Sequence, residues 1–382
     1  MSLIIIKMTY SFSHSHRQVI ALSRVLVILV PFLLGGVQAE LPLNEIELPS
    51  GFTIDVYAEA PGARSLCTAP DGTVFVGTRE RGVVYALRDV DGDGVAEEVW
   101  TIAAGLDSPN GVAFADGDLY VAEIRRVLRY PDILDDLDDP PTPEVFYGGL
   151  PDEPRHGWKY IAFGPGGRLY LPVGAPCNVC DPDEPYCCLL AIAPEGDSVG
   201  VYARGIRNTV GFAWHPETGE LWFTDNGRDW LGDDTPPDEL NHAPRRGLHF
   251  GFPYLHGVDV RDPDYGDARP PDLEITPPAL ELGPHVAALG MLFHSGRSFP
   301  KGYAGDVFIA EHGSWNRSVP IGYRVMRVPF ADGRPAGYEV FAEGWLRGSE
   351  AWGRPVDLLE LTDGSLLVSD DRAGVVYRIS HP

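Results

Sequence analysis

The feature that most constrains this chain is a hairpin unit that recurs along nearly its whole length. Each copy has a short apolar strand, an Asp-Gly or similar turn, a second apolar strand rich in Tyr, Val and Phe, and a polar exit. Ser65 to Thr78 carries the first copy, with its turn at Asp71-Gly72. Asn110 to Glu123 carries the second (Asp116-Gly117), and Trp158 to Gly174 the third (Gly166-Gly167). The fourth, Val210 to Thr224, turns at Pro216-Glu217-Thr218-Gly219. The fifth joins Gly290-Met-Leu-Phe-His294 to Tyr303 through Glu311 by a wider turn, and the sixth runs from Asp357 to Asp370. Turn residues set between short apolar runs are a hairpin signal. The turns follow one another at about 45 to 60 residues, with one gap near 86 between the fourth and fifth copies. Periods of that length built on short strands mark a β-propeller. The six copies predict an all-β, six-bladed β-propeller.

Segments such as Arg126-Val-Leu-Arg-Tyr130 and Val375-Val-Tyr-Arg-Ile379 would supply outer strands. The segment 231–284, full of Pro and Asp, reads as an insertion between blades that covers one face. A strand at Phe52 to Ala58 is expected to pair with Val375 to Ile379 and close the ring, which removes free sheet edges. Composition agrees, with Gly 44 and Pro 35 and no long stretch of 3.6-residue apolar period. The fold alone decides no function, since many propellers only bind other proteins.

Residues 1–39 read as a signal peptide and 40–382 as the propeller domain. Lys7, Arg17 and Arg24 precede the apolar run Val25 to Leu34, and Val37-Gln38-Ala39 is a small-x-small cleavage site before Glu40. That run contains Pro31 and falls well short of the roughly 20 residues that cross a bilayer, so no membrane span is expected in the mature chain. The expected location is periplasmic or secreted. The full chain carries a net charge of −25. Losing three basic and no acidic residues with the leader leaves 27 basic against 55 acidic, a net of −28. Such a surface repels phosphate backbones and anionic lipid, which argues against nucleic acid as a partner. Each Arg or Lys drawn into a site is therefore a minority charge.

Cys177, Cys180, Cys187 and Cys188 crowd into one loop while Cys67 stands alone. In an oxidising compartment they imply one or two disulfides, with three pairings if all four are used, or a vicinal ring at Cys187-Cys188. The spacing Cys177-Asn-Val-Cys180 also suits zinc. No His follows Cys180, so the Cys-x-x-Cys-His haem attachment motif is absent. Asp89-Val-Asp91-Gly-Asp93-Gly94 with Glu98 resembles half an EF-hand loop, but lacks the acid at the twelfth position and reads as a solvated hairpin tip.

The strand exits are more polar than a bland repeat requires: Glu123, Asp225-Asn226, Glu311-His312 with Asn316-Arg317, and Asp370-Asp371-Arg372. A propeller gathers equivalent positions around one axis, so these side chains are expected to meet at one mouth. The chain also carries the segments His156-Gly-Trp-Lys-Tyr-Ile-Ala-Phe-Gly-Pro, Gly205-Ile-Arg207-Asn208-Thr-Val-Gly-Phe-Ala and Thr224-Asp-Asn-Gly227-Arg228-Asp. Further segments are Pro237-Asp-Glu239-Leu-Asn241, His249-Phe-Gly-Phe-Pro and Glu311-His-Gly-Ser-Trp-Asn-Arg. Together they resemble the L-sorbosone dehydrogenase group, related to soluble quinoprotein glucose dehydrogenases and fungal pyranose dehydrogenases, over about Gly51 to Ile379.

The resemblance implies a propeller that holds pyrroloquinoline quinone (PQQ) and Ca²⁺ at its mouth. It would oxidise a sugar or hydroxy-aldehyde and pass electrons to a separate acceptor, a cytochrome or a quinone. It implies His156 as the base that takes the hydroxyl proton, a role suited to imidazole near neutral pH. Arg207 and Asn208 would lie beside the quinone oxygens, where a fixed cation stabilises developing negative charge. Gly227 and Arg228 would hold calcium through backbone carbonyls, hard oxygen ligands that calcium favours. Arg354 would bind a cofactor carboxylate, with His312, Arg317, Arg64, Asn226 and Arg372 as further cofactor-binding candidates; bidentate arginine suits carboxylate. Asp238 and Glu239 are candidates for a second, structural calcium. Arg155 stands where the glucose enzymes place a sugar-binding acid, and Gly174-Ala-Pro-Cys replaces a polar turn, so the substrate is not fixed by the resemblance. Two other classes stay open: a calcium-dependent lactonase-type propeller using side-chain carboxylates, and a non-catalytic binding propeller.

Overall fold

The structure is a computed structural model that describes residues 41–381; the expected signal peptide and its cleavage site lie outside the described residues. Six four-stranded antiparallel sheets follow one another along the chain, so the six-bladed propeller is observed. Blade 1 is built from Leu66–Thr68, Val74–Val76, Val83–Arg88 and Glu98–Ala104; blade 2 from Gly111–Ala115, Asp118–Ala122, Val127–Tyr130 and Glu144–Tyr147. Blade 3 contains Ala162–Phe163, Leu169–Val173, Cys188–Ile192 and Val199–Arg204. Blade 4 contains Gly211–Trp214, Leu221–Asp225, Pro237–Ala243 and Leu280–Pro284. Blade 5 contains Ala288–Phe293, Val307–Glu311, Arg324–Val328 and Glu339–Ala342. Blade 6 takes Pro355–Glu360, Leu366–Asp370 and Val375–Ser380 from the end of the chain and Thr53–Glu59 from its beginning. That closure has the expected partners, running from Thr53 opposite Ser380 to Glu59 opposite Val375.

The second strand of every blade is buried along its whole length, from Val74–Val76 in blade 1 to Leu366–Asp370 in blade 6. Both faces of such a strand press on neighbouring blades, which is why these segments read as continuous apolar runs and not as alternating ones. The cores accordingly lie between blades. Phe75 and Val84 of blade 1 pack with Val121 and Leu128 of blade 2, and Leu367 and Val376 of blade 6 pack with Val74 and Leu87 of blade 1. Phe308 and Val325 of blade 5 pack with Leu366 and Tyr377 of blade 6. Every interface of the ring, including the one across the chain ends, is filled.

One expectation needs correction. The segment 231–284 contains the third and fourth strands of blade 4, Pro237–Ala243 and Leu280–Pro284, so the true insertion is the stretch 244–279 between them. Pro237-Asp-Glu-Leu-Asn pairs with Leu221–Asp225 although it carries two adjacent acids. Its carboxylates are buried and bonded to backbone N–H groups, which replaces the apolar pattern that would have revealed it.

Candidate active site

In an antiparallel hairpin the start of the first strand and the end of the second lie at the same end. That geometry brings twelve short segments, two per blade, to one mouth of the ring. Segments from blades 1, 3, 4, 5 and 6 line a cavity of about 250 Å³ there. Arg64 precedes the first strand of blade 1, His156 and Trp158 that of blade 3, Arg207 and Asn208 that of blade 4, His285 and Ala287 that of blade 5, and Arg354 that of blade 6. Arg79, Asn226-Gly227 and His312 follow the second strands of blades 1, 4 and 5. All of these line the cavity, as do Arg155, Asp229, Asp238, Trp315 and Asn316.

The wall formed by blades 3 and 4 is organised by Asp225. Its carboxylate accepts the backbone N–H groups of Arg207 at 2.8 Å and Asn208 at 2.7 Å, and the hydroxyl of Thr209 at 3.2 Å. Burial raises this carboxyl to about 6. The Asn226 side chain donates to the carbonyls of Asn208 and Ala288, at 3.0 and 2.9 Å, and so stitches blade 4 to blade 5. The buried Arg207 guanidinium donates to the carbonyl of Asn178 (2.9 Å), to Asn178 Oδ1 (2.9 Å), to the carbonyl of Asn226 (3.2 Å) and to Asp229 (3.0 Å).

His156 adopts φ +50°, a left-handed conformation uncommon for a residue with a side chain. Its Nδ1 lies 2.9 Å from the carbonyl oxygen of Ala175. A carbonyl only accepts, so Nδ1 carries the proton and Nε2 keeps its lone pair. Burial and the neighbouring Arg207 push the imidazole down to about 3, which holds it neutral.

The opposite wall is cationic. Asp371 accepts Arg64 Nη1 at 2.6 Å and His312 Nε2 at 3.0 Å, and Arg354 Nη2 donates to His312 Nδ1 at 2.7 Å. Burial lowers His312 to about 4, while His312 and Arg64 hold Asp371 well below the usual carboxylate range. Arg79 lies over the Trp158 ring, 4.7 Å from its centroid. Two buried polar atoms in the lining, Trp158 Nε1 and Asn316 Oδ1, have no hydrogen-bond partner among the described residues. At the rim Trp315 and Trp230 meet edge to face, 5.2 Å between centroids, with about two thirds of each side chain exposed.

Of the residues expected at the site, His156, Arg207, Asn208, Asn226, Gly227, Asp238, Arg64, His312 and Arg354 line this cavity. Four do not. Arg317 donates to the Asp233 carbonyl and pairs with Asp234, and Arg372 lines two adjoining cavities. The Arg228 side chain is buried against Asp262 at 2.6 Å, and Glu239 accepts the Gly257 N–H at 2.7 Å and the Asn241 amide at 2.9 Å. The two oxygens of Asp238 accept the Gly227 and Ala288 N–H groups, so both candidates for a second calcium already serve as strand ties. Nor do the exit carboxylates meet at the mouth. Glu123, Asp225, Glu311 and Asp370 are turned away from it; after Asp225 and Glu311 the next residues, Asn226 and His312, reach the cavity, whereas Asp371 lines the adjoining one and Ile124 neither. Asn316 lines the mouth as expected of a strand exit, Trp158, Asp229 and Trp315 lie within the motifs noted above without having been singled out, and Arg79 and His285 were not expected. Arg79 carried a signal, since it follows the first hairpin as Asn226 follows the fourth.

Cys177 and Cys180 are joined as a disulfide, whereas Cys67, Cys187 and Cys188 are free; the second bridge and the vicinal ring are not formed. Among the described residues, the acidic or thiol side chains close enough together to share one ion are Asp89, Asp91, Asp93 and Glu97. Asp89 there accepts the Gly92 and Gly94 N–H groups, at 2.7 and 2.9 Å, as a turn residue does, and Glu98 instead begins a strand.

The family model described as Glucose / Sorbosone dehydrogenase matches residues 191–314, and one described as TrAA12-like matches residues 267–382. An uncharacterized protein of Borreliella burgdorferi is 31% identical over 367 residues, 91% of this chain and 94% of that protein. The chain belongs to the glucose/sorbosone dehydrogenase family. Two solved structures share the fold of this family member. The holo form of the pyranose dehydrogenase PQQ domain from Coprinopsis cinerea superposes with TM-score 0.73 at 17% identity, over 88% of this chain and 97% of that one. The calcium structure of the Trichoderma reesei family AA12 enzyme superposes with TM-score 0.74 at 19% identity, over 88% and 97%.

Proposed function

We propose that this protein is an exported dehydrogenase that uses PQQ and Ca²⁺ to oxidise a sugar or related hydroxy-aldehyde and hands the electrons to a separate carrier. The observation that carries this reading is the charge of the cavity. Arg64, Arg79, Arg155, Arg207 and Arg354 line about 250 Å³ in a chain of net charge −25. Five minority charges around one cavity suit a small polyanion, and PQQ carries three carboxylates.

The residues fit both groups. Arg64 and Arg354 would hold carboxylates, and Arg207 with Asn208 would face the quinone oxygens. The unpartnered Trp158 Nε1 and Asn316 Oδ1 would gain hydrogen-bond partners from a polar ligand. The carbonyl oxygens of Gly227 and Arg228 accept no hydrogen bond among the described residues, which leaves them available to calcium. When bound, the quinone supplies a two-electron acceptor. His156, neutral and protonated on Nδ1, offers Nε2 to the substrate hydroxyl proton. Trp230 and Trp315 give the mouth apolar aromatic edges and faces, surfaces on which the C–H face of a sugar can rest. The resemblance of the fold to a pyranose dehydrogenase PQQ domain supports the same substrate class.

The test is reconstitution of the purified protein with PQQ and Ca²⁺ and assay of dye reduction with a panel of aldoses and hydroxy-aldehydes. Quinone-dependent reduction is expected. Hydrolysis of a lactone with calcium alone, and no quinone-dependent reduction with any substrate, would overturn the reading.

A further inference from the structure

Arg207 owes its position to a loop that lies outside its own blade. Asn178 stands between Cys177 and Cys180, which are joined to each other. Its backbone carbonyl accepts Arg207 Nε at 2.9 Å, and its Oδ1 accepts Arg207 Nη2 and the Asp229 N–H, each at 2.9 Å. Its Nδ2 donates to the Asp229 carbonyl at 3.0 Å. Asn178 therefore holds both the guanidinium and Asp229, the carboxylate paired with it. The same loop begins at Ala175, whose N–H donates to the Arg207 carbonyl at 2.8 Å and whose carbonyl accepts His156 Nδ1.

Farther along, the loop is held by Tyr254 Oη, which donates to Asp181 at 2.7 Å, and by Arg204, which pairs with Glu184 at 2.6 Å; neither bond touches the Cys177–Cys180 ring. Blade 3 leaves its second strand at Val173 and resumes at Cys188, and the described residues between them form no strand or helix. Cys177, Val179 and Tyr186 touch a small cluster of Ala175, Cys187 and Phe252. A long irregular loop loses conformational entropy when it is ordered, and a cross-link reduces that loss. The bridged cysteines are half-buried, while Cys187 and Cys188 are buried.

We propose that the Cys177–Cys180 disulfide is a latch that fixes Asn178 as a positioning residue for Arg207, making turnover sensitive to reduction of that bond while the propeller stays folded. The inference rests on the catalytic role given to Arg207 under Proposed function. A dithiol reductant supplies two electrons and two protons: the S–S bond breaks, two thiols form, and the reductant closes its own disulfide. Asn178 is then no longer held in its ring, and the buried guanidinium loses two well-placed acceptors.

The test uses the full mature protein. Without cofactor, the Arg207 Nη2–H resonance, assigned by its loss in Arg207→Lys, reports whether the guanidinium is held by the Asn178 side chain. Asn178→Ala, the double variant Cys177→Ser/Cys180→Ser, and dithiothreitol treatment of the unmodified protein should each speed exchange of this proton by about tenfold or more. Asn178→Asp, which keeps an acceptor for Nη2, should restore most of the protection. When protein so changed, with dithiothreitol removed anaerobically before loading because a dithiol also reduces quinones, is loaded with PQQ and Ca²⁺, kcat should fall about tenfold with little change in KM, and prior reduction should cost Asn178→Ala nothing more. Unchanged exchange after reduction, or independent losses from reduction and Asn178→Ala, would overturn the latch. If exchange responds as expected and the oxidised, loaded protein oxidises no substrate, the latch stands and the dehydrogenase reading fails.

Discussion

Arg354 donates from Nη2 to His312 Nδ1 across 2.7 Å. A guanidinium only donates, so Nδ1 holds a lone pair, and the ring proton sits on Nε2, directed at Asp371 3.0 Å away. Arg64 takes the other oxygen of Asp371. Two arginines thus share one carboxylate with a neutral histidine between them, and the group presents a net positive charge to the cavity. Arg354→Ala should weaken PQQ binding by about 10- to 100-fold, the loss of one charge-assisted hydrogen bond. Quenching of tryptophan fluorescence by the quinone measures it.

His156→Ala removes the proton acceptor and leaves the cationic wall in place. Turnover should fall by at least about 100-fold. Quinone affinity, read by the same quenching titration, should stay within a few fold. A variant that lost quinone binding would make His156 a cofactor contact.

The buried ionisable groups set opposing pH dependences in the cofactor-free protein. His156 and His312 titrate at about 3 and about 4 when folded, against an ordinary 6.5. The unfolded chain binds more protons in that window, so their contribution to stability is lost as pH falls from 6.5. Asp238 is raised by burial from 3.8 to about 7. There the folded chain binds more protons, so its contribution is full below 3.8 and is lost as pH rises to 7. Asp238→Asn should therefore make the dependence of stability on pH more positive between 4 and 7, by up to about 1.4 kcal/mol per pH unit. Urea unfolding at several pH values reads the slope; an unaltered slope would show that Asp238 is ionised throughout.

Phe308 is fully buried between blades 5 and 6, with Phe341 and Phe299 at centroid distances of 4.8 and 6.1 Å. Phe308→Ala should cost roughly 3–5 kcal/mol. The change should appear in the denaturation midpoint without altering quinone affinity.

Arg228 pairs with Asp262 at 2.6 Å, inside the insertion that follows the third strand of blade 4. Removing one partner of a buried pair leaves a desolvated charge, so Arg228→Ala should destabilise by roughly 3 kcal/mol. Its expected calcium contact is through the backbone carbonyl. Calcium affinity measured by isothermal titration on the folded variant should therefore change by less than about threefold, in keeping with ligation by oxygen atoms the substitution leaves in place.

The propeller was legible because the second strand of each blade is buried on both faces, and that burial leaves an apolar run that no other demand on the sequence erases. His156, Arg207 and Arg354 were named through the family resemblance, and the fold explains why they meet: each immediately precedes such a hairpin. Pro237–Ala243 escaped as a strand because Asp238 and Glu239 satisfy backbone N–H groups inside the protein, and buried acids look like surface in a sequence. Arg317 was misplaced because its partners, Asp233 and Asp234, lie more than eighty residues earlier and only the fold brings them together. Asn178 gave no signal of its own: its importance comes from Arg207, and the two residues are neighbours only across blades 3 and 4.

Blade 6 has a consequence for how the molecule is made. Thr53 is synthesised early and waits for Ser380, its partner, 327 positions later. Until the last strand emerges, the first one has no sheet to join, and the cluster of Val74, Leu87, Leu367 and Val376 cannot assemble. Contacts so far apart in sequence form slowly. Five blades can wait as an open arc, but the arc becomes a ring only once Val375–Ser380 has been made, and a chain cut short anywhere before Val375 is left with two raw edges.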